Sequence, residues 1–435
     1  MKDSLLKKLT EYSKTVVPFH MPGHKRNFCD SLIPYSIDIT EIDGFDNLHD
    51  MDGVLKDTAD LAKNIYGAYE SFPLVNGSTC GVLAGIYSLV RENKNILIAR
   101  NCHKSVYNAA EILGLDTHYV MPEMCDCDIW GRVSPQKVEE EIKKHNIGTV
   151  VVTSPTYDGV ISDIAAIYGV CKRYDAYLFV DYAHGAHMFD LHRECDVAVV
   201  SLHKTLPSLT QTALLNVYSE RVDIDKLKHG LSIFETSSPS YVLLASIDEC
   251  LRYIKGNSND FEKTRGNLCD FYQKASKLKN IRITHFDDMT KIIAFAESGY
   301  ELAEFLREES IEPEMASEKY VLLMATVCDT TESLKTLLDA LFKIDKKINA
   351  LKNVKSIGFS IPKCIEKIST ALNQDGNFYD ISECVGKESL EYIWAYPPGA
   401  PIVVPGEIIT QEIIEYYKNK KLKSTKGKYP EIYVK

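Results

Sequence analysis

Between about residues 60 and 256, short apolar runs alternate with helical patterns, and this alternation limits the possible folds more than any other feature. The runs are NILIAR (95–100), GTVVVTSP (148–155), AYLFVDYAH (176–184) and DVAVVSLHK (196–204). Between them lie SPQKVEEEIKKH, where Ser134 can cap a helix and Pro135 can open it, and SDIAAIYGVCKRY, capped by Asp163. Strands that alternate with helices build βαβ units. The expected fold is therefore α/β, with a mostly parallel sheet covered by helices on both faces.

The pattern changes after a long helix in SPSYVLLASIDECLRYIKG (238–256), which has Pro239 near its start and Gly256 at its end. GNSND then reads as a polar joint. Beyond it, KIIAFA (291–296) and KYVLLMATV (319–327) read as strands, and ELAEFLREE and TTESLKTLLDALFKIDKKI as helices of a smaller C-terminal α/β unit. A chain of 435 residues can bury two such cores. The expected division is an N-terminal arm (1–59), a large domain (60–256) and a small C-terminal domain (257–435). The lysine-rich tail NKKLKSTKGKYPEIYVK reads as a solvated end.

A net charge of −11 gives no basic footprint for nucleic acid. The 12 cysteines are scattered and suggest no disulfide framework. The start, MKDSLLKKLTEYSKT, reads as a short amphipathic helix, and no run approaches the roughly 20 apolar residues of a membrane span. The expectation is a cytoplasmic protein with free thiols. Cys125-Asp-Cys127 has no second pair, and His184-x-x-His187 has no third ligand in sight, so no metal is expected.

Ligands of parallel sheets bind beyond the C-terminal ends of the strands. The residues following the apolar runs, Asn101–His103, Ser154–Tyr157, Asp181–His184 and Ser201–Lys204, therefore belong to one edge. Together they suit pyridoxal phosphate, which needs a lysine, an acid at its ring nitrogen, phosphate donors and a flat group against its ring. Lys204 can form the Schiff base if desolvation lowers its pKa. Asp181 can hold the pyridinium proton. The turn NGST (76–79) opens an apolar helical run and offers N–H groups and hydroxyls to a phosphate. Ser201 and His203 add donors, and His103 can stack on the ring. A lone lysine there is ordinarily a solvated side chain, and a lone aspartate is ordinarily a cap. It is their conjunction in this order that is informative.

FHMPGHKR (19–26), DITEIDGFDNLHD (38–50), VNGST (75–79), RNCHKS (100–105), SPTYDGVISDI (154–164), VDYAHGAH (180–187), SLHKTLPSLTQTALL (201–215), TSSPSY (236–241) and YPPGAPIVVPGE (396–407) resemble, in order, the Orn/Lys/Arg decarboxylase family. These are fold-type-I, pyridoxal-phosphate-dependent basic amino acid decarboxylases. The resemblance implies decarboxylation of arginine, lysine or ornithine, with polyamine biosynthesis or acid resistance as the setting. Lys204 would carry the internal aldimine, Asp181 would pair with the ring nitrogen, His184 would sit by the ring hydroxyl and His103 would stack on the ring. Ser78, Thr79, Ser201 and His203 would bind the phosphate, with Ser237 or Ser238 reaching one across a dimer interface. His20, His24 and Glu407 would lie near the substrate's distal cation. Asp46 is a further candidate there, though a cap or salt bridge serves equally well.

Tyr182 stands where the family often has Glu, and strand alternation puts it on the face opposite Asp181. Cys80-Gly81-Val82 stands where a Gly-Asn pair is common. The wing domain of large members is expected to be absent, which implies a homodimer or a small assembly of dimers. An aminotransferase or lyase reaction on the same scaffold is the alternative. A binder that has lost its chemistry is a third reading, against which the intact Lys204 and Asp181 speak.

Overall fold

A computed structural model describes residues 17–19, 46–190, 193–352, 360–395, 399–417, 422–427 and 430–435. Its centre is a seven-stranded sheet: β1 (Glu70–Leu74), β2 (Asn95–Ala99), β3 (Asp116–Val120), β4 (Thr149–Thr153), β5 (Tyr177–Asp181), β6 (Val197–Ser201) and β7 (Ala213–Val217), in spatial order β1-β7-β6-β5-β4-β2-β3. Only β7 runs against its neighbours. The four apolar runs became β2, β4, β5 and β6. Val150–Val152, Leu178–Val180 and Val197–Val200 are fully buried, as strands covered on both faces must be.

The three remaining strands carry weaker signals. β1 (ESFPL) contains Pro73 and lies at one edge, where a missing N–H is tolerated. β3 (DTHYV) is the other edge and buries only Tyr119 and Val120. β7 begins inside a stretch that otherwise reads as a loop after Lys204.

Helices α1 (Val54–Tyr66), α2 (Gly77–Leu89), α3 (Lys104–Leu113), α4 (Pro135–His145) and α5 (Ile164–Arg173) pack around this sheet. Ser134 Oγ accepts the Lys137 N–H, and Asp163 accepts the Ala166 N–H, as the capping pattern implied. α2 lies flush on the sheet because Gly81 and Gly85 are four residues apart on one face. A Cβ at Gly81 would meet Leu74 and Val199, and one at Gly85 would run into the Phe179 ring. This close approach fixes the α2 N-terminus over the sheet edge.

Helix Tyr241–Gly256 ends where expected, but the polar joint shrinks to Asn257, because Ser258–Ala275 is itself a helix. Leu268, Phe271 and Ala275 recur at helical spacing and bury into a second core. That core covers a four-stranded antiparallel sheet of Arg282–Thr284, Lys291–Phe295, Tyr320–Met324 and Met315–Ala316. Tyr241, Leu244 and Ile247 belong to the first core, and we propose the domain division at Asn257 on that ground.

At the other end α1 runs across residue 59, and we propose on that ground that the large domain begins by Val54. Val17–Phe19 pairs in parallel with Ile311–Pro313. The last residues of the tail are not all solvated. Glu431–Val434 pairs with Asn377–Asp380, and Ile432 and Val434 alternate into a third core. The period-2 pattern of EIYV outweighs the lysines before it.

Candidate active site

The C-terminal ends of β1, β2, β4, β5 and β6 open on one cavity of about 360 Å³, beside the point where strand order reverses between β2 and β4. Its walls include Ser78 and Thr79 from α2, Asn101 and His103 after β2, Thr153 and Thr156–Asp158 around the end of β4, Asp181 and His184 after β5, and His203 and Lys204 after β6. Glu314 reaches it from the second unit.

Lys204 sits in a single helical turn, Leu202–Thr205, that directly continues β6. Its Nζ donates to His184 Nε2 at 3.0 Å. Burial lowers the Lys204 pKa below the usual lysine range, against the opposing pull of Asp181 and Glu314. Burial raises Asp181 above the usual carboxylate range, while Lys204 and the Ala183 N–H, 3.0 Å from Oδ1, resist. His184 is pushed well below its ordinary value by burial and by Lys204, so it stays neutral.

His103 caps α3. Its Nδ1 accepts from the Ser105 N–H at 3.3 Å and lies 2.9 Å from Ser105 Oγ. Burial and the nearby Lys204 and Lys104 push its pKa down to about 4. His203 Nδ1 lies 3.0 Å from the Thr212 carbonyl, and the Gly77 N–H donates to the Gln211 carbonyl at 2.8 Å. These bonds tie the loop after Lys204 to the start of α2, where no side chain caps the helix. Glu235, whose Oε1 accepts the Val75 N–H at 2.8 Å, braces the turn from behind.

The residues present fit pyridoxal phosphate. A buried amine of lowered basicity and a buried carboxylate share one cavity, and the first turn of α2 faces the same space. Among the described residues the cavity-lining Asn101 amide and Thr153 Oγ1, and the buried Ser201 Oγ, have no hydrogen-bond partner.

Lys204, Asp181, His184, His103, Ser78, Thr79 and His203 are thus brought together. Ser201 is fully buried at the end of β6 and does not line the cavity. Ser238 is exposed and is not brought to this chain's cavity. His20 and His24 lie outside the described residues.

Glu407 departs from its expected place near the substrate. Its carboxylate is fully buried, with Oε2 2.7 Å from Arg100 Nη2 and 2.8 Å from the Val404 N–H. Asp46 is a cap, accepting the N–H groups of Asp52, Gly53 and Leu55 at 2.8–2.9 Å. Tyr182 is buried in the first core, and the Cys80 thiol donates to the Gly77 carbonyl at 3.1 Å. The 11 described cysteines form no disulfide with one another, and no described helix is long and apolar enough to cross a membrane.

Sequence reasoning missed Asp158 and Glu314. Asp158 stands inside SPTYDG, one residue past the strand-end group Ser154–Tyr157. Glu314 lies more than a hundred residues beyond Lys204, between two short strands, and no local pattern marks it.

Residues 4–285 match the family described as Orn/Lys/Arg decarboxylase, major domain. An arginine decarboxylase of Bacillus anthracis is 30% identical over 94% of this chain and 91% of its own length. The structure of the Escherichia coli constitutive lysine decarboxylase superposes with a TM-score of 0.77 at 17% identity, covering 99% of this chain and 81% of that one. A structure described as SPT with its PLP internal aldimine gives a TM-score of 0.57 at 13% identity over 67% of this chain and 76% of that one. The fold is that of the fold-type-I pyridoxal-phosphate enzymes.

Proposed function

The chain belongs to the Orn/Lys/Arg decarboxylase family and is an amino acid decarboxylase, and from that premise we propose that it removes the α-carboxylate of arginine, lysine or ornithine with pyridoxal 5'-phosphate as cofactor. The products are carbon dioxide and the corresponding amine. The observation that carries this reading is the convergence of Lys204, Asp181 and His184 on one cavity at the strand ends.

Lys204 is the residue that would hold the cofactor covalently. Its lowered pKa keeps more of the amine neutral and nucleophilic, and His184 fixes its direction. Asp181 would meet the ring nitrogen, and Ser78, Thr79, His203 and the first N–H groups of α2 would hold the phosphate. When bound, pyridoxal phosphate supplies an electron sink for the bond broken at Cα. The chain's own part is to orient that bond, to keep water out, and to return a proton to Cα from Lys204 or a neighbouring histidine.

An aminotransferase ordinarily sets an arginine on the α-carboxylate. Among the described residues no arginine lines the cavity, and Arg252 and Arg265 are both exposed. This favours decarboxylation over amino transfer. A homodimer, in which Ser238 reaches the partner's cavity, and a cytoplasmic setting, which free thiols suit, belong to the same proposal.

The test is to incubate purified protein and added cofactor with arginine, lysine and ornithine separately, and to identify carbon dioxide and the amine. Release from at least one is expected. No release from any, with the cofactor bound, would move the reading to amino transfer or another lyase reaction.

A further inference from the structure

Three backbone N–H groups lead in a row into α2, and each is taken by a fixed acceptor. Glu235 Oε1 accepts the Val75 N–H at 2.8 Å, and the Asn76 N–H binds the same carboxylate. The Gly77 N–H goes to the Gln211 carbonyl at 2.8 Å. The next two, of Ser78 and Thr79, lie in the first turn of a helix, where no helical carbonyl can accept them. Both residues line the cavity. The three fixed bonds therefore set the path of the backbone that presents the next two donors.

The turn does not hold itself. No side chain caps α2, and the Asn76 amide oxygen is drawn away to accept the Thr236 N–H at 3.2 Å. Gly77, at φ +73°, brings a freedom that a side chain would have removed, so the shape of the turn depends on what binds it.

Glu235 is anchored for that task. It directly follows helix Ile224–Phe234, and its own N–H closes on the Leu231 carbonyl at 2.9 Å. That helix lies hard against α2, since a Cβ at Gly230 would come within 3.2 Å of the Ala84 carbonyl oxygen. The carboxylate is thus carried by an element locked to the very helix whose start it braces. It is buried, and burial pushes its pKa up to about 7, with the two N–H groups pulling the other way. Desolvating a carboxylate is costly, so its bonds to Val75 and Asn76 cannot be incidental.

We propose that Glu235 is a positioning residue for the cofactor's phosphate, fixing from behind the turn whose next N–H groups and hydroxyls receive it. This rests on the pyridoxal phosphate reading of the cavity. Glu235 does not line that cavity, so its effect passes through the backbone of residues 75–79. Donors already held in place bind a phosphate without the cost of ordering the turn.

The test compares two ligands that differ in the phosphate alone, pyridoxal 5'-phosphate and pyridoxal, by absorbance titration of the full-length apoprotein. Glu235→Ala should weaken binding of the phosphate ester about 10- to 100-fold and that of pyridoxal by no more than about twofold. Glu235→Gln keeps the shape and one of the two acceptor oxygens, so its loss for the ester should be about threefold to tenfold. The phosphorus-31 resonance of the bound ester should shift in both variants. If Glu235→Ala does not fold, Glu235→Gln decides the matter.

An unchanged ratio of the two affinities in the folded variants overturns this assignment alone. So does a parallel loss for ester and pyridoxal, which would make Glu235 a general support of the fold. A parent protein that binds pyridoxal as tightly as the ester overturns both this assignment and the phosphate reading beneath it.

Discussion

Two pairs of buried, oppositely charged residues lie off the same edge of the central sheet, and they are built for different ends. Arg100 and Glu407 touch at 2.7 Å, both fully buried, with Arg100 also donating to the Ile402 carbonyl at 2.7 Å and lying over the Tyr119 ring. The Glu407 charge helps hold Arg100 above even its usual high pKa. Lys204 and Asp181 face a cavity instead. Each is bonded to another group, His184 or the Ala183 N–H, and burial shifts each toward its neutral form. The first pair closes on itself and joins the C-terminal part of the chain to the sheet, although Arg100 Nε and Nη1 and Glu407 Oε1 keep no hydrogen-bond partner among the described residues. The second keeps its reactivity for a third party. A buried charge marks chemistry when it opens on a cavity, and architecture when its partner closes on it.

Mutations should separate the two pairs. Lys204→Ala should cost more than about a thousandfold in carbon dioxide release, with a denaturation midpoint close to the parent's. Glu407→Leu should do the reverse, leaving Arg100 buried without its anion and lowering unfolding free energy by about 3–5 kcal/mol in denaturant titrations. If Lys204→Ala proved the more destabilising of the two, the distinction would collapse.

Gly85→Ala tests the packing that sets α2 over the cavity. The Phe179 ring must move, so about 1–3 kcal/mol of stability should be lost and cofactor should bind more weakly. The smallest expected effect is on pH dependence. His103 has a folded pKa of about 4 against 6.5 unfolded, so between those values the unfolded chain binds more protons. Its contribution is intact above pH 6.5 and is lost as pH falls toward 4. Replacing His103 with Phe should flatten the acid limb of the cofactor-free protein's stability curve by on the order of 1 kcal/mol. An unchanged limb would place the titration elsewhere.

The central strands and the core of the site could be read from the residues because the chain states them locally. A doubly buried strand must be apolar throughout, and its polar continuation must fall at the sheet edge. Lys204, Asp181 and His103 follow that rule, whereas the NGST turn is marked by small polar residues opening an apolar helical run. The edge strands β1 and β3 escaped because an edge tolerates Pro73 and polar residues. Glu407 misled because a motif records which residue stands at a position and not what closes upon it. Arg100 is separated from it by some three hundred residues. Glu314 escaped for the same reason, since only the packing of the second unit brings it to the cavity. The tail's lysines concealed Ile432 and Val434, whose pairing partners lie around residue 380.

The claim that Lys204 is the residue poised for the cofactor can be tested directly by borohydride reduction of the holoenzyme, followed by peptide mapping. The account predicts the reduced cofactor on the peptide containing Lys204 and on no other. A label on Lys291, which is fully buried and 3.7 Å from Asp288, or no covalent label on a protein that retains the cofactor, would contradict it.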